Sequence, residues 1–203
     1  MKILVITASE DVSDEVATIE ALFAAGLEIL HLRKPGFAGD AMEKFIGSIA
    51  VRYHQRIMLH SHHELVERYG LRGMHFPARK RSGASPLASN VHISTSCHSP
   101  AEVEQDAAAY EYVMVSPVFD SISKPGYRAA INRESLSACC GRLNRRVVAL
   151  GGITSHNLTV LPRGCWGAAV LGHIWGHERC ADRLHAFMNL QDAAQRYGKA
   201  TKL

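Results

Sequence analysis

A chain of 203 residues, 47% apolar and 21% charged, carries enough apolar side chain for one sizeable core and too little length for a second comparable one. Its net charge of +4 is small, and its basic residues are dispersed apart from Arg79-Lys80-Arg81 and the 142–146 segment, so a nucleic-acid partner is not expected. The five cysteines, at 97, 139, 140, 165 and 180, form no C-x-x-C pair, which argues against a disulfide framework or a Cys-only zinc site and fits reduced thiols in a cytoplasmic setting. In chain order, apolar runs of strand length fall at Ile3–Thr7, Glu28–Arg33, Ile57–His60, Gly73–Phe76, Val91–Thr95, Tyr112–Phe119, Val147–Gly151 and Ala168–Ile174. Helical periodicity separates them at Asp14–Ala25, Asp40–Tyr53, His63–Tyr69, Pro100–Ala109, Arg133–Leu143, Ser155–Leu161 and Ala181–Tyr197, with Ser13, Ser99 and Asn132 placed as N-caps. The fourth run is followed by PARKRSGASPLAS, which reads as loop.

Strand and helix in strict alternation argue for parallel pairing through crossover helices. Eight strands at this spacing, with no Pro- or Ser-rich linker, fit a compact α/β chain folded as a (β/α)8 TIM barrel, one domain over residues 1–203, better than an open doubly wound sheet. The opening run Ile3–Ile6 is too short for the apolar core of a signal peptide, and no stretch of about 18 apolar residues occurs, so no membrane partner is expected. The stretch Leu190–Tyr197 either closes the barrel or pairs with a neighbouring chain, and the oligomeric state is left open.

In this architecture ligands bind at the carboxyl ends of the strands. Those ends supply Thr7, His31, Arg33, His60 to His62, His75, Ser94, Ser96, His98, the 116–124 segment, Gly151-Gly152 and Gly172-His173. The rim is therefore polar, cationic and glycine-rich, suited to an anion. VVALGGIT and GAAVLGHI place glycines where strands turn, so that backbone N–H groups can approach a phosphate, although tight turns use glycine for steric reasons as well. In SPVFDSISKPG, Ser121 and Ser123 can present two hydroxyls to one oxyanion while Lys124 adds a point charge. Arg33 offers a guanidinium to a second phosphate, or a rim ion pair. The alternating His60-Ser61-His62, with His63, Glu64, His92 or His98, could instead hold a metal for hydrolysis. Cys97 beside His98 is a poor nucleophile-base pair, because adjacent strand side chains point apart.

Taken together, LHLRK, GMHF, HISTSCHSPAEVE, YVMVSPVFDSISKPG, VVALGGITSHN and GAAVLGHI resemble, in order and spacing, the thiamine-phosphate synthase family and its thiazole tautomerase relatives. The resemblance implies a (β/α)8 barrel, small phosphorylated thiamine-pathway ligands, and a transfer joining hydroxymethylpyrimidine diphosphate to thiazole phosphate with release of pyrophosphate. It places Ser121, Ser123, Gly151, Gly152, Gly172 and His173 at the thiazole phosphate, and Arg33, Lys34, Ser96 and Lys124 at the diphosphate. Lys124, Arg33 and His31 are the catalytic candidates. It also implies magnesium, yet the family's carboxylate positions carry Ser61 and Lys80 here, a poor donor set for a hard cation, so no metal ligand is assigned. The tautomerase branch similarly lacks those acids, but the position of its proton-shuttling histidine holds Pro117. His31, His75 and His98 are then the available acid or base groups, with a tautomerase-like isomerase or a non-catalytic binder of thiazole phosphate or thiamine phosphate as the alternatives.

Overall fold

The computed structural model describes residues 1–79, 91–106, 110–120, 126, 128–142 and 146–199. Strands β1 (Lys2–Ile6), β2 (Ile29–Leu32), β3 (Ile57–Leu59), β4 (Gly73–Phe76), β5 (His92–Cys97), β6 (Tyr112–Val115), β7 (Arg146–Leu150) and β8 (Gly167–Val170) pair in parallel and in chain order, and β1 closes on β8. Helices α1 (Glu15–Ala24), α2 (Gly39–Ser48), α3 (Leu65–Arg68), α4 (Pro100–Asp106), α5 (Arg133–Arg142), α6 (Gly172–Trp175) and α7 (Cys180–Lys199) belong to the connections and the C-terminus. This is the expected (β/α)8 barrel.

Period-two alternation splits the strand residues between two cores. Leu4, Ile6, Ile29, Met58, Tyr112, Met114, Val148 and Ala169 point inward and fill the barrel. Ile3, Val5, Leu30, Leu32, Ile57, Leu59, Val113, Val115, Val147 and Ala149 point outward against the helices. On the inward register, the apolar filling gives way to His31, His75 and Ser94 toward the carboxyl ends, and all three are buried.

The element ends differ from the sequence expectation for local reasons. The run Tyr112–Phe119 stops as strand at Val115, since Pro117 has no N–H for the ladder. The run Ala168–Ile174 is strand only to Val170, after which Gly172–Trp175 turns as α6, and the Trp175 indole donates to the Ile6 carbonyl at 2.7 Å. The helix expected over Asp40–Tyr53 ends at Ser48, where Ile49 is extended, and a separate 3₁₀ turn covers Val51–Arg56. Ser155–Leu161 forms only a 3₁₀ turn at Leu158–Val160, because the Thr154 N–H donates to the Asn157 side chain at 2.8 Å and Pro162 follows. Ser99 and Asn132 accept N–H bonds from Glu102 and Ser135, as N-caps do, whereas α1 is preceded by Asp14 in the left-handed region instead of being capped by Ser13.

The C-terminal helix closes the molecule on itself. Leu190, Ala193, Ala194 and Tyr197 are buried in the helix layer, and the Arg183 guanidinium, 2% exposed, donates to Asp14 at 2.7 Å and to carbonyls at both ends of the chain. Among the described residues no helix is long and apolar enough to cross a membrane.

Candidate active site

The carboxyl ends of the strands surround a cavity of about 320 Å³. Strands β3 and β4 face β7 and β8 across an eight-stranded barrel, so the cavity has two unlike walls. One consists of Gly151, Gly152 and Ile153 after β7 and Gly172-His173 after β8. The other consists of His60 after β3 and His75 on β4, with Arg33 after β2 and Ser96 on β5 flanking them. His98 after β5, Met114, Ser116 and Pro117 of the β6 end, and apolar residues including Ile6, Pro77, Leu150, Ala169 and Leu171 belong to the same lining, whose described residues include no carboxylate.

The glycine wall has a steric cause. Gly151 and Gly152 sit at φ 104° and 61°, in the region that disfavours side chains, and a Cβ on Gly152 would come within 2.1 Å of the Asp120 carbonyl oxygen. The end of β7 thus packs directly on the loop after β6, and its backbone is presented to the cavity because no side chain can stand there. The His173 Nε2, unpartnered among the described residues, lies on this wall, and burial lowers the pKa of its ring.

The imidazole wall holds two hydrogen-bonded groups whose rings stack on one another. His31 Nδ1 meets His60 Nε2 at 2.9 Å, and His31 Nε2 meets the Tyr112 hydroxyl at 2.6 Å. His75 bonds the Ser94 hydroxyl through Nδ1 and the Ser96 hydroxyl through Nε2, both at 2.9 Å. Desolvation lowers the pKa of His31 and His60 far below the usual imidazole value and takes His75 to about 3, helped at His60 and His75 by Arg33. All three rings are therefore neutral near pH 7. Burial raises the Tyr112 hydroxyl out of reach of ionisation.

Three imidazoles within 4.8 Å of one another invite a metal reading. The ring geometry opposes it: His60 and His75 stack at 4.2 Å and 27°, so their in-plane lone pairs run side by side instead of converging. The wider histidine set does not assemble either. His62 bonds the Phe37 carbonyl, His98 bonds the Ser116 carbonyl, and His92 pairs with Glu111 at the opposite end of the barrel. The family's magnesium fares no better on the described residues, because a hard cation wants oxygen anions and the cavity lining supplies none.

The sequence candidates fall into three groups. Arg33, His75, Ser96, His98, Gly151, Gly152, Gly172 and His173 line the cavity, and Arg33 is held by Ser9, which accepts from its Nη1 at 2.7 Å, and by Thr7 at its backbone. Ser121, Ser123, Lys124 and Lys80 lie outside the described residues. Lys34, expected at the diphosphate, points elsewhere: it is 1% exposed and its ammonium lies 2.5 Å from Glu15 and 2.8 Å from the Glu10 carbonyl. Adjacent residues on a strand face opposite ways, so Arg33 in the cavity forces Lys34 into the helix layer. His31, a catalytic candidate, does not line the cavity but stands behind His60. Cys97 is fully buried. Tyr112 and Ser94 were legible only as strand and strand end; the signal for Tyr112 was its even-numbered register with Met114 and Ser116, which places it inside the barrel.

Comparison with known proteins bears on the same segments. The thiamine monophosphate synthase family model matches residues 3–174. The solved thiamine phosphate pyrophosphorylase of Bacteroides thetaiotaomicron is 33% identical, covers 96% of this chain and 98% of its own, and superposes with a TM-score of 0.80. The thiamine-phosphate synthase of Leuconostoc citreum is 25% identical over 183 residues, 83% of this chain and 86% of its own length. A Pyrococcus furiosus thiamine phosphate pyrophosphorylase, at 20% identity and TM-score 0.82, shares the fold. With the match running from β1 into α6 and taking in every strand that lines the cavity, the chain belongs to the thiamine monophosphate synthase family.

Proposed function

We propose that the chain is a synthase-type transferase of thiamine biosynthesis, joining hydroxymethylpyrimidine diphosphate to thiazole phosphate. In this reaction the thiazole nitrogen attacks the pyrimidine methylene, the methylene C–O bond breaks, and its electron pair leaves with pyrophosphate. Such a reaction needs two anions held apart and the growing charge on the leaving group stabilised. The supporting observation is a single cavity with two anion-suited sides: glycine turns after β7 and β8, and Arg33 with Ser96 on the other. The thiazole phosphate would take the backbone N–H groups of the glycine turns together with Ser121 and Ser123, and the diphosphate would take Arg33, Ser96 and Lys124.

A second reading, a tautomerase-like isomerase acting on the thiazole phosphate carboxylate, is favoured by one observation. The side facing the glycine turns is built of neutral imidazoles with no carboxylate in the described lining. The two separate in one assay, in which purified chain is given both synthase substrates, with and without magnesium, and thiamine phosphate is read as its fluorescent oxidised derivative. Turnover that is lost in Arg33→Ala supports the transferase. Absence of turnover, with isomerisation of the thiazole phosphate carboxylate, replaces it by the isomerase. Binding without either leaves a non-catalytic binder.

A further inference from the structure

At the end of the barrel opposite the cavity two thiols touch. Cys140, in the last turn of α5, and Cys165, in the loop leading into β8, have their sulfurs 3.4 Å apart. α5 runs back from the carboxyl ends of the strands, so its last turn and the loop before β8 both lie at their amino ends. The surrounding structure holds the two segments together. A Cβ on Gly164 would stand 3.1 Å from the Cys140 Cβ, so the loop lies directly on α5. Behind the loop, the Tyr197 hydroxyl donates to the Pro162 carbonyl at 2.6 Å and the Arg163 guanidinium donates to the Tyr197 carbonyl, which ties it to α7. Leu136 and Cys139 anchor α5 in the core. Cys165 is 5% exposed, whereas Cys140 is only half-buried and is the more accessible of the pair.

We propose that Cys140 and Cys165 form a redox modification site, oxidised by a hydroperoxide to a disulfide that staples α5 to the loop before β8 and reduced again by a dithiol. The Cys140 thiolate attacks the peroxide, the O–O bond breaks, and the leaving oxygen departs as water, or as an alcohol from an organic hydroperoxide, with the proton that Cys140 gave up. Cys140 is then a sulfenic acid. The Cys165 sulfur attacks the Cys140 sulfur, the S–O bond breaks, and hydroxide takes the Cys165 proton as a second water. Two thiols are oxidised by two electrons and one peroxide is reduced. The sulfurs close from 3.4 Å to the bonding distance of about 2.05 Å, a shift of side chains between segments already in contact. A dithiol reverses the reaction by thiol–disulfide exchange and ends as its own disulfide.

The order of events follows from the surroundings. The contact with Cys165 lowers the pKa of Cys140 and raises that of Cys165, which burial raises further, so the accessible thiol is the one that ionises and meets the oxidant. The buried thiol resolves it. The bond would close the 140–165 segment into a loop that contains β7 and the Gly151-Gly152 turn. Closing that loop removes freedom from the unfolded chain, so the oxidised protein should be the more stable form. The inference does not rest on the transferase reading, because neither sulfur lines the cavity.

The test treats the reduced full chain with hydrogen peroxide, alkylates the remaining thiols, and reads the tryptic peptides by mass spectrometry. The expected product joins ESLSACCGR, residues 134–142, to the peptide of residues 164–179, with the other three of the five cysteines alkylated. Cys139 shares the first peptide, so variants assign the bond. The link should persist in Cys139→Ser and vanish in Cys140→Ser and in Cys165→Ser, each compared at wild-type circular dichroism. Oxidation of the wild type should raise its melting temperature by about 5 °C or more, and dithiothreitol should return it. A link that survives Cys140→Ser belongs to Cys139 and would overturn the assignment. Oxidation that stops at sulfinic acid without a link, links found only between chains, or a melting temperature that the bond leaves unchanged would overturn the staple.

Discussion

At the end of β2 two neighbouring cations have opposite fates. Arg33 faces the cavity, braced by Ser9, while Lys34 is sealed into the helix layer against Glu15. Loss of a charge-assisted contact costs about 1.5–3 kcal/mol, so Arg33→Ala should weaken pyrophosphate binding by roughly 10- to 100-fold in a calorimetric titration, with little change in melting temperature. Lys34→Met should do the reverse. It leaves Glu15 buried without its cation, and Glu15 Oε1 already lacks a partner among the described residues, so about 3–5 kcal/mol of stability should disappear from the urea unfolding midpoint while pyrophosphate affinity holds. A normal unfolding midpoint with lost affinity would place Lys34 back at the ligand. Sequence gave the chemistry of this pair but not its orientation, because LHLRK does not reveal which parity faces inward until the register with β1 and β3 is known.

At the scale of the element, the end of β7 shows a glycine required by its neighbours. Gly152→Ala must accept a left-handed backbone and displace the Asp120 main chain, a combined cost of about 3 kcal/mol or more. Gly70→Ala meets the same backbone penalty in open space and should cost about 1 kcal/mol. Thermal melts of the two variants check the contrast, and equal losses would mean that the close approach at Gly152 relaxes freely. The strands were legible from their aliphatic runs, since burial on both faces of a parallel barrel demands them. Their ends were less so: Pro117 has no N–H for the ladder beyond β6, and the run through Ile174 leaves the strand after Val170 to turn as α6, neither of which hydrophobicity registers. The imidazole wall was legible as residue types at strand ends, but its bonding was not, because the His31–Tyr112 contact spans the barrel between strands 81 positions apart.

For the whole molecule, the neutral histidines tie stability to pH. Their folded pKa values lie far below the ordinary 6.5, so as pH falls the unfolded chain binds protons that the native state refuses, and stability declines from about pH 6.5 toward pH 3, the folded value for His75. Between pH 7.5 and 5.5 each contributes a loss of about 1.4 kcal/mol, about 4 kcal/mol for the three together, readable as a drop in the urea midpoint. A midpoint flat over that interval would mean that the cluster takes up protons while folded. The barrel thus places a glycine wall able to receive one anion opposite neutral imidazoles flanked by Arg33 and Ser96, and the proposed reaction puts the single phosphate of thiazole phosphate on the glycine wall, leaving Arg33 to the diphosphate. A crystal structure with thiazole phosphate tests this most directly. The account predicts the phosphate within hydrogen-bond distance of the backbone at Gly152 or Gly172-His173, with the ring directed toward His60 and His75. A phosphate bound at the imidazole wall, or outside the cavity, would contradict it.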